Sequence, residues 1–201
     1  MARKKLISAN WKMYKDPSQT KDFFGDFLPL IAGRDRDEVV VCPPYIDLHA
    51  AMESAKGSQI AIGAQDVYWK DEGAFTGEIS SGMLVAIGCT HVIIGHSERR
   101  QYFAETDDTV NLKLKAALEH GLTPIVCVGE VLEEREAGLT EDVLRRQCVR
   151  AFHTHTRGSS ESFRAGVCGW ASNSLWRFSE AGECEGANVR RRDRWCAGRR
   201  S

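Results

Sequence analysis

The imidazole of His96, the hydroxyl of Ser97 and the carboxylate of Glu98 follow directly on an apolar run, Val92-Ile93-Ile94, that Gly95 ends. Arg99 and Arg100 extend the set with guanidinium groups. β-Branched residues in a short run make a buried strand, so these polar groups are delivered at its carboxyl end. In parallel α/β folds active sites are built at that end. A strand running into a solvated charged turn would look the same in isolation. A second set upstream argues against that reading: Leu6-Ile7-Ser8-Ala9 leads into Asn10-Trp11-Lys12-Met13, another apolar strand ending in polar groups. Alternation along a strand puts i and i+2 on one face, so Asn10 and Lys12 are expected to point into one space. An ammonium there can hold an anionic substrate and stabilise charge that develops during reaction. An imidazole kept neutral can donate to a developing oxyanion and exchange a proton with it.

Alternating segments must position these groups. Strands are predicted over 5–9, 39–42, 60–64, 91–94 and 123–128. Helical patterns lie between and after them, over 18–30, 45–55, 81–87, 107–119 and 140–152. Thr106-Asp107-Asp108 supplies an acidic helix start, and Gly121 stands where a helix-ending glycine belongs. Short apolar strands separated by helices imply parallel βαβ units with both sheet faces covered. Five units are countable, whereas a closed (β/α)8 barrel needs eight and takes about 250 residues.

Composition narrows the function classes. The 201 residues carry a net charge of −1, with 42% hydrophobic and 27% charged residues, which is ordinary for one globular domain. No basic excess points to nucleic acid or a membrane surface. The apolar run behind the basic Met1–Lys5 is too short for a signal-peptide core or a bilayer span, so a cytoplasmic protein is expected. Seven cysteines, an odd number without a Cys-x-x-Cys pair, fit reduced thiols better than a disulfide framework. Cys42, Cys89 and Cys127 lie in or beside strand-like runs and are expected to pack as small hydrophobes. Trp11 is expected to pack for its area, and no ligand spacing argues for a metal. His91, His120, His153 and His155 have no motif context and read as structural or solvated.

The ordered pieces Ala9–Met13, Gly63-Ala64-Gln65-Asp66, Gly73–Glu78 (Gly-Ala-Phe-Thr-Gly-Glu), Ile94–Arg100 and Pro124–Glu130 (Pro-Ile-Val-Cys-Val-Gly-Glu) together resemble the triosephosphate isomerase family over roughly residues 2–160. The resemblance implies a TIM barrel that interconverts dihydroxyacetone phosphate and glyceraldehyde 3-phosphate through an enediolate, without a cofactor, in glycolysis and gluconeogenesis. Carried over residue by residue, it implies that His96 polarises the substrate carbonyl and Lys12 holds the phosphate. Asn10 would donate to a substrate oxygen, Glu98 would stand beside Lys12, and Ser97 would support the His96 loop. An ion pair between Glu98 and Arg99 or Arg100 is the competing reading for that carboxylate. The resemblance also implies a homodimer through the loop 65–78, with Thr76 docking into the partner. Tyr14, where the family usually has Asn, lies close to that contact.

Beyond residue 163 the pattern changes. Residues 165–201 contain no Ile or Lys, one Leu, and a cluster of Arg190, Arg191, Arg192, Arg194, Arg199 and Arg200 with Trp170, Trp176 and Trp195. Neither a period of 2 nor one of 3.6 emerges, so neither a buried strand nor an amphipathic helix is expected. Aromatic and basic residues alone would fit an RNA-binding tail. The genetic code offers a better account. Codons for Trp176–Ala181 can be chosen that, read one base later, give Gly-Gly-Ser-Val-Lys-Pro. The same shift over Arg194–Ser201 gives Gly-Gly-Ala-Leu-Val-Gly-Gly. Both resemble the family's phosphate loops after its seventh and eighth strands. The chain therefore reads as a partial barrel over 1–163 and an out-of-frame, disordered tail over 164–201. A block between the fifth and seventh strands is also missing, including the family's Tyr-Glu-Pro-Val-Trp segment with its catalytic Glu base. Glu161, Glu180, Glu183 and Glu185 do not lie in such a segment. The alternative to an active isomerase is accordingly an inactive member that lacks the base.

Overall fold

A computed structural model describes residues 5–152, 175–178 and 184–187. Strands β1 (Leu6–Asn10), β2 (Glu38–Cys42), β3 (Ile60–Ala64), β4 (His91–Ile94) and β5 (Thr123–Val126) form one sheet in sequential order. Every neighbouring pair is parallel, with Ile7 opposite Val39, Val41 opposite Ile62 and Ile94 opposite Val126. Parallel neighbours require a crossover, and helices supply it. The crossovers are α1 (Pro17–Ile31), α2 (Leu48–Ala55), α3 (Ser81–Ile87), and α4 (Ser97–Tyr102) with α5 (Asp107–Glu119); α6 (Leu132–Glu136) and α7 (Thr140–Phe152) follow β5. The result is a curled half-barrel of alternating β/α units.

Local chemistry fixes the longer helices. The Asp16 carboxylate accepts from the amides of Ser18 and Gln19, each at 2.9 Å, and Pro17 opens α1 where no amide is needed. Thr106 and Thr109 cap each other's backbone amides at the start of α5. Gly121, at φ 74°, turns the chain out of α5 and into β5.

Two apolar layers sandwich the sheet, as expected when both faces are covered. On the outer face Val41, Ile62, Ala64, Val92, Ile94 and Val126 pack against Phe24, Leu48, Leu84, Leu114 and Leu144 of the helices. On the concave face Val40, Cys42, Ile93, Ile125 and Cys127 form a second, smaller cluster. Backbone and side chains approach closely there. A Cβ on Gly63 would lie 2.9 Å from Cys42 Sγ and 3.1 Å from His91 Cβ, so only glycine fits. Cys42, Cys89, Cys127 and Cys148 are buried, as small hydrophobes are. Trp11 packs edge-on against Phe23 at 4.9 Å between ring centroids.

The sequence expectations need correction at several elements, including one-residue extensions of β2 at Glu38 and of α1 at Pro17 and Ile31. β1 runs one residue later and β5 ends at Val126, two residues early. The helix expected over 45–55 is a 3-10 turn, Tyr45–Asp47, followed by α2. α4 and α6 were not anticipated, because their short charged sequences carry no apolar period. The aperiodic tail holds two strands after all: β6 (Leu175–Phe178) and β7 (Cys184–Ala187) pair antiparallel in a sheet of their own. Backbone hydrogen bonds alone can make such a pair, without the side-chain pattern that flags a packed strand. The division at 163/164, and His153 and His155, lie outside the described residues.

Candidate functional site

β1 and β4 bring their polar ends to the same rim of the sheet. Asn10 closes β1, and its side-chain oxygen accepts from the Lys12 amide at 2.9 Å. Lys12 itself lies beyond the strand at φ 55°, in the left-handed region. The two residues therefore meet through a side-chain-capped turn, and the alternation expected of a continuing strand does not apply to Lys12. That conformation is costly for a residue with a Cβ and persists only where its surroundings enforce it. Here the Gln65 side-chain amide donates to the Lys12 carbonyl at 2.8 Å and to the Cys42 carbonyl at 2.9 Å. Both backbone polar groups of Lys12 are thus held by side chains.

β4 ends at Ile94, and Gly95 at φ 75° turns the chain into α4. His96 caps that helix: its Nδ1 accepts from the Glu98 amide at 3.3 Å. A nitrogen that accepts carries no proton, so the neutral ring places its N–H at Nε2. Burial pushes the His96 imidazole below its ordinary value, and the Lys12 ammonium adds to this, against opposing pulls from Glu98 and Glu105. Lys12 Nζ reaches Glu98 Oε1 at 2.6 Å, across 86 positions of sequence. The other oxygen of Glu98 lies 3.5 Å from His96 Nδ1. Ammonium, carboxylate and neutral imidazole therefore form one partly exposed constellation.

The competing partners for Glu98 are engaged elsewhere. Arg99 Nε lies 2.7 Å from Asp66 and 3.0 Å from Glu105, while Arg100 donates to Asp107 at 2.6 Å and to the Gly95 carbonyl at 2.8 Å. Ser97 stands exposed at the first position of α4. Thr76 is exposed in the loop 65–78, and Tyr14 is 71% exposed.

Sequence reasoning missed several residues around this rim. Gln65 was assigned to the dimer loop, yet it anchors Lys12 from 53 positions away. Lys113, almost wholly buried, bonds to Asp66 at 2.7 Å and to Glu105 at 2.9 Å. A signal for that cluster existed: Lys113 shares the apolar face of α5 with Val110, Ala116 and Ala117, where a cation needs partners. His91, read as structural, is buried with Nδ1 2.8 Å from Thr90 Oγ1. His120 Nδ1 lies 3.0 Å from the Ala116 carbonyl oxygen. An apolar groove lined by Ile7, Leu28, Ile31, Val39 and Ile60 lies at the opposite, amino-terminal end of the strands and contains none of this chemistry. Among the described residues no group of His, Cys, Asp and Glu is arranged to hold a metal. No described helix is long and apolar enough to cross a membrane.

A sequential parallel β/α sheet with polar groups gathered at its carboxyl rim is the arrangement of (β/α) barrel folds, whose functional sites sit at that end. The family model described as Triosephosphate isomerase matches residues 5–163, and the chain belongs to that family. The triosephosphate isomerase of Solibacter usitatus is 57% identical over 145 residues, covering 72% of this chain and 58% of that protein. The Dictyoglomus thermophilum protein of the same name is 51% identical with the same coverage. The crystal structure of triosephosphate isomerase from Bartonella henselae is similar with a TM-score of 0.73 at 33% identity, covering 83% of this chain and 67% of that one. The chain thus spans 58% of the length of these curated relatives.

Proposed function

We propose that this chain carries the carbonyl-polarising and anion-binding half of a triosephosphate isomerase site. The observation that carries the reading is the contact of Lys12 with Glu98 beside His96, whose Nδ1 accepts from the Glu98 amide and whose charged form burial disfavours. A neutral imidazole as electrophile is the arrangement known in triosephosphate isomerases, where a glutamate removes the proton. In this reading Nε2–H of His96 donates to the substrate carbonyl oxygen as it gains charge, then exchanges its proton with the enediolate. Lys12 binds the phosphate and lowers the energy of charge on the reacting oxygens. Asn10 donates to a substrate oxygen with its amide nitrogen, since its oxygen is committed to the Lys12 amide. Glu98 holds the Lys12 side chain in place, and Ser97 supports the turn at His96. No cofactor takes part.

The family's Tyr-Glu-Pro-Val-Trp segment does not occur in the sequence, which supports a second reading: a member without its proton-abstracting carboxylate. Conversion of glyceraldehyde 3-phosphate tests the first reading: residual turnover above buffer, abolished by Lys12→Met, is expected. Turnover that Lys12→Met leaves unchanged would remove the site from consideration. Homodimerisation through the loop 65–78 with Thr76 and Tyr14 at the contact, and a cytoplasmic location, belong to the same proposal.

A further inference from the structure

The residue before His96 is gripped from both sides by charged side chains. Gly95 N–H donates to Glu105 Oε1 at 2.9 Å in a buried contact, and the Gly95 carbonyl accepts from Arg100 Nε at 2.8 Å. Each partner is itself fixed. Glu105 Oε2 accepts from Lys113 Nζ at 2.9 Å and Arg99 Nε at 3.0 Å, while Arg100 Nη1 donates to Asp107 at 2.6 Å. The site is tightly packed around the backbone: a Cβ on Gly95, which sits at φ 75°, would meet Arg100 Nη2 and the Cys127 carbonyl, each at 3.0 Å. Hydrogen bonds to ionised groups are stronger and shorter than neutral ones, so they hold a backbone segment more tightly.

We propose that Glu105 and Arg100 are positioning residues for His96, acting as a two-sided charged clamp on Gly95. The inference rests on the reading of His96 as the polarising group. Neither residue belongs to the Lys12, Glu98 and His96 constellation itself. They fix the direction in which the chain leaves β4, and with it the place of the imidazole beside Lys12. A strand end alone would not do this, because the cross-strand ladder reaches only the Cys127 amide on the Ile94 carbonyl.

The test reads the imidazole directly, by 15N and 13C nuclear magnetic resonance titration of His96 in the full chain, so it does not depend on turnover. The charged groups that act on His96 are Glu98, Lys12 and Glu105. Arg100→Met removes the donor to the Gly95 carbonyl. It is expected to loosen the ring, broaden its signals and raise the His96 midpoint by about half a pH unit as burial relaxes. Arg100→Lys is expected to recover part of the shift. Asp107→Asn removes the outer ion pair but leaves the bond to Gly95, so it should leave His96 in place. A role limited to stability would make Asp107→Asn behave like Arg100→Met and would overturn the proposal. For Glu105 the unaltered chain suffices: the Gly95 amide should exchange with solvent far more slowly than that of Ser97. Equal exchange at the two sites would overturn the proposal whatever the variants do. A clamp that passes these tests in a chain without turnover would leave the inference standing and the isomerase reading in difficulty.

Discussion

His96 shows how few atoms decide the chemistry of a residue. One backbone amide on Nδ1 selects the tautomer, and burial keeps the ring neutral. The pH dependence follows with a definite sign. The folded midpoint lies below the ordinary histidine value of about 6.5, so above that pH the ring is neutral whether the chain is folded or not. As pH falls below it, the unfolded chain takes up the proton first, and stability is lost down to the folded midpoint. A His96 titration with its midpoint below 6.5 is expected, and a midpoint above it would contradict the burial argument. The candidate site was legible at this scale because its groups stand at strand ends in the sequence. The reason offered for Asn10 and Lys12, strand alternation, does not hold, because Lys12 at φ 55° has left the strand. Gln65 was illegible: its bond to the Lys12 carbonyl spans 53 positions and depends on how three strands converge.

At the scale of elements, the sequence announced those helices whose signals are local. α3, α5 and α7 were placed at their observed bounds, since caps and apolar periods mark them. α4 offers neither. Its sequence Ser-Glu-Arg-Arg-Gln-Tyr has no apolar stripe, and long-range bonds from Arg99 to Asp66 and Glu105, and from Arg100 to Asp107, tether it. Lys113 sits at the centre of that tether, bonded to two buried carboxylates. Lys113→Met should cost about 3–5 kcal/mol in chemical denaturation, because it leaves buried negative charge uncompensated. Arg150→Ala removes an exposed partner of Asp108 at 3.2 Å and should cost less than about 1 kcal/mol. Equal costs for the two would show that the buried cluster is not what fixes α4 against α5. At the start of α1, Asp16→Ala should cost about 1 kcal/mol, the worth of a helix cap.

For the whole molecule, five sequential parallel strands and their helices make just over half of a barrel, in keeping with the 58% of its curated relatives that the chain spans. The fold was legible in alternation, which needs only composition and spacing. The strands of the tail were not, since β6 and β7 follow backbone pairing in a segment without apolar period. The loop 65–78, exposed over 70–78 and pinned at its base by the Tyr68 amide on the Ile79 carbonyl at 2.8 Å, is the surface expected to meet a second copy. A chain completed with the missing units should run as a dimer at micromolar concentration in light scattering, and a strict monomer would contradict that expectation. Lys12 and His96 are in place while the family's Tyr-Glu-Pro-Val-Trp segment does not occur in the sequence, and slowed turnover is expected from that combination. Steady-state turnover of glyceraldehyde 3-phosphate, measured beside the Solibacter usitatus relative, tests it most directly. General-base transfer is worth about 10² to 10⁴ in rate, so this chain should be at least about a thousandfold slower once loss of the closing segment is added. A rate equal to the relative's would contradict the account.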